Sequence, residues 1–140
     1  SRYLSFGEVQ YMFEFNTACN VNYRLDHLRV LSPKLQEIAD NLPDPKEGDT
    51  RTTNLENIEF LKGEEIATEV GFLNNVFVDF GVYDYRKENE ASKTSELVKS
   101  FGYEIAKHAV CWFDWLTPND EEIVRNLPPS GNDGSSSEYC

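Results

Sequence analysis

The sequence contains few cysteines and no paired cysteine motif. Its three cysteines, Cys19, Cys111 and Cys140, are odd in number and far apart. A small domain held together by a disulfide framework carries an even number of cysteines at regular spacings, so we do not expect that class of protein. No asparagine stands in an Asn-x-Ser or Asn-x-Thr sequence, and the chain therefore offers no acceptor for N-glycosylation.

Long apolar runs are also missing. A membrane-spanning helix needs roughly 20 consecutive apolar residues, and no segment of the sequence approaches that length. No signal-peptide pattern opens the sequence either. Together with the cysteine usage, these features predict a cytoplasmic, reducing, intracellular setting, whether in a cell or during the intracellular stage of a virus.

Basic residues are scarce relative to acidic ones. The 140 residues include 25 Asp and Glu but 13 Lys and Arg, which gives a formal net charge of −12. A field of this sign repels the phosphates of nucleic acids and the headgroups of anionic lipids, so we expect neither as a partner. A basic protein is the partner that this charge favours, although acidity can also serve only to keep a protein soluble.

Enough apolar material is present for a core, because 39% of the residues are hydrophobic and 13% aromatic. Residues 8–16 alternate apolar and polar side chains, which predicts a strand with one buried face. Residues 57–85 predict a three-stranded meander, with tight turns at Lys62-Gly63 and Asn74-Asn75. Helix is the competing interpretation for residues 64–85, and their β-branched and aromatic content favours strand.

Three segments carry helical patterns. The principal one, residues 94–116, repeats apolar side chains at steps of three and four. Ser32 with Pro33 begins a helix that runs to Leu42, and Thr117 with Pro118 begins a short one. Residues 23–31 suit either a helix or a strand, and the sequence leaves that choice open.

These elements predict an α+β fold in which the meander at 57–85 and the strand at 8–16 form a small antiparallel sheet. The amphipathic helix at 94–116 packs on one face of this sheet. We expect a single domain over residues 1–127. Residues 128–140 are rich in Pro, Gly and Ser and predict a flexible tail.

Residues able to perform chemistry are present but lack recognisable motifs. His108 and Cys111 could form a zinc site with Cys19 and His27, or a Cys–His nucleophile pair. A packed core histidine and a buried thiol are simpler explanations. The acids near the last helix could bind Mg²⁺ or Ca²⁺, but they suit the first turn of a helix equally well. These acids are Asp114, Asp120, Glu121 and Glu122. We therefore predict no catalytic residue, no metal site and no cofactor.

The face of the sheet turned away from the principal helix is the predicted binding surface. It interleaves acids with large rings, which are unfavourable in water and enriched at interface centres. The predicted partner-binding residues are Glu65, Glu69, Phe77, Asp79, Tyr83 and Tyr85. The alternative is that a second helix, such as residues 32–42, covers this face and the rings form a second core.

The function that the sequence favours is a non-enzymatic acidic domain that neutralises or escorts a basic protein. Immunity proteins, antitoxins and small phage-encoded inhibitors share this size and charge, which is an analogy rather than a sequence match. The alternative is a structural component of a phage or viral assembly, or a small acidic chaperone that forms a homodimer.

Overall fold

The computed structural model describes residues 1–49, 51–56, 58–71, 78–93 and 104–126. Within these ranges the chain forms a small, open antiparallel sheet of five strands together with two α-helices. The α+β class and the antiparallel sheet predicted from the sequence are confirmed. None of the helices in the described part of the chain is long and apolar enough to cross a membrane.

The strands follow one another along the chain, and a long connection that contains one α-helix separates the third from the fourth. They are β1 (Arg2–Ser5), β2 (Glu8–Asn16), β3 (Val21–Leu31), β4 (Ala67–Val70) and β5 (Asp79–Asp84). The sheet has the order β1-β2-β3-β4, and β5 also pairs with β3. The predicted strand at residues 8–16 coincides with β2, and the open question over residues 23–31 is settled in favour of strand.

A two-residue turn joins β1 to β2. Its residues, Phe6 and Gly7, both have positive φ angles, 51° and 79°. Positive φ at both central positions is the type I′ geometry, whose twist matches that of paired strands. The turn sets a register in which Tyr3 lies opposite Gln10. The sequence patterns did not predict β1, which is only four residues long.

The meander predicted over residues 57–85 differs from the structure in its pairing. Both β4 and β5 pair with β3, and residues 58–66 contain no strand. The backbone there bonds to side chains, because Glu59 O accepts from Lys34 Nζ and Leu61 N–H donates to Glu64 Oε2 at 2.8 Å. The turn at Lys62-Gly63 is confirmed, with Gly63 at φ +82°. The turn at 74–75 lies outside the described residues.

Two predicted helices are confirmed with their caps. Helix α1 (Pro33–Asp40) has Ser32 as its N-cap, and helix α2 (Pro118–Arg125) has Thr117. Both begin with proline, whose fixed φ suits the first helical turn. Helix α1 buries Leu35 and Ala39.

The principal helix predicted over residues 94–116 is not continuous in the described part. Residues 94–103 lie outside the described residues. The remainder is divided between two short 3₁₀ helices, Glu104–His108 and Trp112–Trp115. The prediction of an α-helix over residues 104–116 is therefore wrong.

The edge of β5 explains this interruption. Ala109 forms an antiparallel bridge with Tyr83, and Val110 N–H donates to Val82 O at 3.0 Å. A backbone N–H that bonds to a neighbouring strand cannot also serve the helical ladder. Valine, tryptophan and phenylalanine are weaker helix formers than the straight-chain residues. The backbone of residues 109–110 therefore bonds to β5 instead of continuing a helix.

The residues divide into two compact units. Unit 1 comprises Ser1–Glu14 and Arg24–Phe80. Its buried apolar side chains come from β2, β3, α1 and the residues after α1. They are Tyr11, Phe13, Leu28, Leu31, Leu35, Ala39 and Leu42. The burial of Tyr11 and Phe13 agrees with the alternation predicted for residues 8–16, whereas the burial of Gln10, a polar residue of that alternation, does not.

Unit 2 comprises Phe15–Tyr23 and Gly81–Cys140. Val21 and Val82 are its buried apolar residues in the described part. The single domain over residues 1–127 stays a prediction, and the predicted tail at 128–140 lies outside the described residues.

Candidate functional site

A network of polar side chains crosses one part of the sheet in unit 1. Tyr3 Oη donates to Asp26 Oδ1 at 2.5 Å, and His27 Nδ1 lies 2.7 Å from Gln10 Oε1. His27 Nε2 is 3.6 Å from Asp79 Oδ2. Burial, and then the hydrogen bond to Asp26, raise the pKa of Tyr3, which keeps its hydroxyl protonated as a donor. The network thus ties β1, β2, β3 and β5 together.

His27 has a backbone conformation that is uncommon for a residue other than glycine. Its φ is +60°, in the left-handed region that costs a non-glycine residue about 1 kcal/mol or more. The pairing of β3 with β4 shifts register just after it, between Leu28 and Val30. Gly71 N–H donates to His27 O at 2.7 Å, and His27 N–H to Asp26 Oδ1 at 2.8 Å. These bonds hold the bulge, and we interpret the network as a structural device.

The acids that were predicted to bind a partner differ in their surroundings. Glu69 Oε2 lies 3.9 Å from Arg29 Nη1, and Asp79 pairs with His27. The charge of Glu69 is therefore partly compensated by Arg29 of β3, and Asp79 lies beside the His27 ring. Glu65 is exposed and forms no ion pair within the described part of the chain.

The predicted aromatic residues do not share a unit with those acids. Tyr83 and Tyr85 belong to unit 2, whereas Glu65, Glu69 and Asp79 belong to unit 1. Phe77 lies outside the described residues. The role of the six residues in binding stays a prediction.

Tyr83 and Tyr85 differ in exposure. Tyr83 is half-buried and folds over Gly81, where an added Cβ would lie 2.6 Å from the Tyr83 hydroxyl. Tyr85 is exposed, and its ring centroid is 5.0 Å from that of His108. A side chain at position 81 would therefore force the Tyr83 ring to move.

An exposed acidic and apolar segment follows α1 in unit 1. We call residues 51–56 and 58–66 the 51–66 segment. Three of its large apolar side chains, Leu55, Ile58 and Leu61, are exposed, and Leu61 is 76% exposed. Between and beside them stand exposed acids that form no ion pair among the described residues: Glu56, Glu59 and Glu65.

Lys34 of α1 fixes the middle of this segment. Its Nζ donates to Glu59 O and to Glu64 Oε1 at 2.7 Å, and it lies 4.0 Å from the centroid of the Phe60 ring. The Lys34 ammonium group is therefore already engaged by these three contacts. The segment is therefore anchored through Phe60 and Glu64, while Leu61 projects into solvent.

Unit 2 contains an open cleft of about 390 Å³. Residues 87–90 and 108–111, together with Asp114 and Trp115, line it. Trp115 is 51% exposed. This volume lies within the range of about 300–1,000 Å³ that is usual for ligand sites.

Asn89 holds the walls of the cleft in place. Its Nδ2 donates to Ala106 O at 2.8 Å and to Ala109 O at 3.0 Å, and its Oδ1 accepts from Ser92 N–H at 2.8 Å. Its own N–H donates to Lys107 O at 2.8 Å. Every hydrogen-bonding group of the amide is used, so this clamp is structural.

His108 is half-buried and lines the cleft, rather than belonging to a core as predicted. Its Nδ1 is 2.7 Å from Lys87 O. A carbonyl oxygen can only accept, so Nδ1 carries the proton and donates it. In the neutral ring Nε2 is then a hydrogen-bond acceptor.

The expectation of a buried free thiol at Cys111 is wrong, because Cys111 is disulfide-bonded. Cys19 is exposed and is the free cysteine in the described part of the chain. A sequence with an odd number of unpaired-looking cysteines offers no pattern from which this bond could be predicted. The zinc and nucleophile hypotheses both required a thiolate at position 111, which a disulfide does not supply.

Among the residues that the structure describes, no group of three or more His, Cys, Asp and Glu side chains could hold a metal ion. The predicted absence of a cofactor stays a prediction.

No protein-family model, curated protein or solved structure matches the chain.

The sequence patterns missed Leu61 and Trp115 as surface residues. Ile58 and Leu61 were counted within a strand of the meander, and Trp115 fell within the predicted helix at 94–116 without being singled out. The density of acids from Glu56 to Glu65 was the one signal that this stretch faces solvent. Nothing in the sequence distinguishes Trp115 from a core residue.

Proposed function

We propose that this chain is a non-enzymatic, acidic protein-binding domain that neutralises or escorts a basic protein, as an inhibitor, immunity protein or antitoxin does. The 51–66 segment is its contact surface. The observation that supports this most is the exposure of Leu55, Ile58 and Leu61 among acids that have no counterion in the described part of the chain.

The two kinds of side chain in the segment contribute differently to binding. Covering an exposed leucine gains about 1.5–3 kcal/mol, and three neighbouring apolar side chains give a partner a hydrophobic contact. The acids add attraction for a cationic surface, which speeds encounter and selects the partner by charge. Segments that combine apolar and acidic side chains suit a partner whose contact surface is both basic and apolar.

The charge of the whole chain supports the same partner. A net charge of −12 disfavours approach to nucleic acid or to an anionic membrane surface. It favours long-range attraction of a basic protein. We place the domain in the intracellular compartment that the sequence predicted, with the disulfide at Cys111 as the finding that opposes this.

Binding of synthetic peptides to the full chain tests the proposal. The peptides combine lysine with leucine, lysine with glycine, and glutamate with leucine, and fluorescence anisotropy reports their affinity. We expect the lysine–leucine peptide to bind most tightly, because it alone meets both the acids and the apolar side chains. Equal affinity for the lysine–leucine and glutamate–leucine peptides would contradict the proposal.

A matched pair of variants locates the contact. Leu61 and Phe6 are both 76% exposed in unit 1, and Phe6 lies in the β1–β2 turn. Leu61→Ser should weaken the lysine–leucine complex about tenfold through lost apolar burial. Phe6→Ser should leave the affinity unchanged within about twofold. If both substitutions weaken binding equally, the 51–66 segment is not the site.

Self-association is the competing use of the same apolar side chains. A structural component of an assembly, or a dimeric chaperone, would bury Leu55, Ile58 and Leu61 against a second copy. Light scattering at micromolar concentration separates the two functions. We expect a monomer, and a dimer that Leu61→Ser dissociates would favour the assembly or chaperone function instead.

A further inference from the structure

We propose that the cleft in unit 2 binds a lysine or arginine side chain. The proposal rests on the proposed function in one respect, because a basic protein is the source of that side chain. It does not depend on the 51–66 segment, which is a different surface in the other unit.

The cleft carries an excess of negative charge. Glu88, Glu90 and Asp114 line it, against Lys87 as its one cationic lining residue. Lys87 Nζ lies 3.9 Å from Asp84 Oδ2, so that cation is already paired. A cation that enters the cleft therefore meets carboxylates.

The carboxylates that line the cleft differ in whether they already form an ion pair. Glu90 pairs with Lys93, and Asp114 Oδ1 lies 3.5 Å from Arg125 Nη2. Glu88 is exposed and has no ion-pair partner in the described ranges. Glu88 is consequently the lining carboxylate best placed to accept an incoming ammonium or guanidinium group.

Trp115 supplies the second element of a cation site. About half of its surface is exposed, and it lines the cleft. An indole ring has the strongest attraction for a cation among the aromatic side chains, worth about 0.5–1 kcal/mol at exposed sites. The same ring also covers the methylene groups of a lysine or arginine stem, which prefer an apolar neighbour.

His108 adds an acceptor. Because its Nδ1 donates to Lys87 O, Nε2 of the neutral ring presents a lone pair. The side chains of lysine and arginine carry donors and no acceptors, so they match a lining made of carboxylates, an imidazole acceptor and a π face. An anionic or purely apolar ligand would leave these acceptors without a partner.

The cleft is preformed. The Asn89 clamp bonds residues 87–93 to residues 106–109 through three hydrogen bonds, and a fourth, from Ser92 N–H, fixes the Asn89 side chain itself. A site whose walls are already fixed loses less conformational entropy on binding. The cleft therefore accepts a side chain without first rearranging.

Nuclear magnetic resonance of the full chain tests this proposal. The probes are a blocked Gly-Lys-Gly tripeptide, its arginine counterpart, and the lysine tripeptide with an acetylated amine. The chain has two tryptophans, and Trp115→Leu identifies which indole N–H signal belongs to Trp115. We expect the two cationic tripeptides to shift this signal and the Glu88 amide signal saturably. The acetylated tripeptide should shift neither, and an equal shift by it would overturn the proposal.

Two double variants with the same change in net charge separate a local site from long-range attraction. Glu88→Gln with Asp114→Asn should weaken tripeptide binding about tenfold, since both carboxylates line the cleft. Glu37→Gln with Glu122→Gln removes two exposed acids of α1 and α2 and should change affinity by less than about twofold. Equal weakening by both pairs would mean attraction by net charge only, which also overturns the cleft site.

Failure here is distinguishable from failure of the proposed function. Leu61→Ser should leave binding of the lysine tripeptide unchanged. If the tripeptide does not bind but the lysine–leucine peptide still requires Leu61, the cleft proposal is wrong and the proposed function stands.

Discussion

Asp84 is a buried acid whose charge is matched by a neighbour two residues away. Arg86 Nε donates to Asp84 Oδ1 at 2.7 Å and Arg86 Nη2 to Oδ2 at 2.9 Å, a bidentate pair. The Arg86 backbone N–H adds a third bond at 3.1 Å. The hydrogen bonds from the Arg86 guanidinium lower the pKa of Asp84 from 3.8 to about 2. The end of β5 is thus fixed by a charged side chain.

Replacing Asp84 should destabilise the protein in a pH-dependent manner. Because the folded pKa lies below the unfolded one, the stabilisation is present above pH 3.8 and is lost as the pH falls through about 2. Thermal melts should therefore give Asp84→Asn a clearly lower melting temperature than the wild type at neutral pH. The difference in melting temperature should narrow in acid. Asp44→Asn, at an exposed position, is the control. A difference in melting temperature that stays constant down to about pH 2 would contradict this role for the ion pair.

The sequence could not indicate which acids are paired in this way. Asp84 and Arg86 are two apart, a spacing that in a regular strand puts side chains on one face but says nothing of burial. The positive φ of His27 could not be predicted from the sequence either, since histidine does not indicate left-handed backbone as glycine does. The burial of Asp84 and the bulge at His27, which Gly71 N–H helps to hold, arise only in the folded chain.

The strand β5 and the stretch that crosses its edge show how tertiary contacts override a local pattern. Apolar side chains spaced at three and four predicted a helix through Leu116. In the structure Ala109 and Val110 bond to β5 instead, and the Asn89 clamp supports this arrangement from the other side. The spacing of apolar residues predicts which side chains share a face. It does not predict whether the backbone forms hydrogen bonds within a helix or to a neighbouring strand.

Removing the Asn89 clamp should loosen this region. Asn89→Ala deletes the two side-chain donors to Ala106 O and Ala109 O, at about 0.5–1.5 kcal/mol each, so we expect a loss of about 1–3 kcal/mol in the free energy of unfolding. Hydrogen exchange should also speed up at Val110. Asn54→Ala, at an exposed position, should change neither quantity. Unchanged exchange at Val110 in Asn89→Ala would show that the clamp does not hold this strand edge.

Elements with local signals were predictable, whereas those that depend on long-range pairing were not. Strand β2 followed from alternation, and α1 and α2 followed from a Ser or Thr cap before proline. The pairing of β4 and β5 with the same strand, β3, depends on the bulge at His27 and on residues that are 36 or more positions apart along the chain. No local pattern encodes that choice.

The cysteine pattern of the whole chain and the disulfide at Cys111 point to different settings. The odd, widely spaced cysteines and the lack of a signal-peptide pattern led to the intracellular prediction, whereas disulfides persist mainly in oxidising compartments. The bond at Cys111 leaves Cys19 as the free thiol of the described residues. The compartment stays a prediction, and the redox state of the purified chain bears on it directly.

Counting thiols measures that redox state. With three cysteines and one disulfide, the unfolded, unreduced protein should show one reactive thiol per chain, and three after reduction. Reduction should also lower stability, by about 2–4 kcal/mol if the bond behaves as typical ones do. Three reactive thiols in protein purified without reductant would contradict the bond and support the reducing compartment.

The binding surface was only partly predictable. Its acidity was evident from composition, and Glu65 was among the predicted residues. The apolar partners of that acidity, Leu55, Ile58 and Leu61, were assigned to neither surface nor site, because apolar residues in a short run resemble a buried strand. Exposure is decided by what packs over a residue, which a single sequence does not state.

The most direct test of the central claim is the salt dependence of binding at the 51–66 segment. The affinity of the lysine–leucine peptide should fall steeply between about 0.05 M and about 0.5 M NaCl, as screening removes the attraction of exposed acids. Neutralising Glu56, Glu59 and Glu65 to glutamine should weaken binding and flatten this dependence. Neutralising Glu37, Asp120 and Glu122 instead should leave the dependence close to that of the wild type. An affinity that is the same at low and high salt would contradict the account.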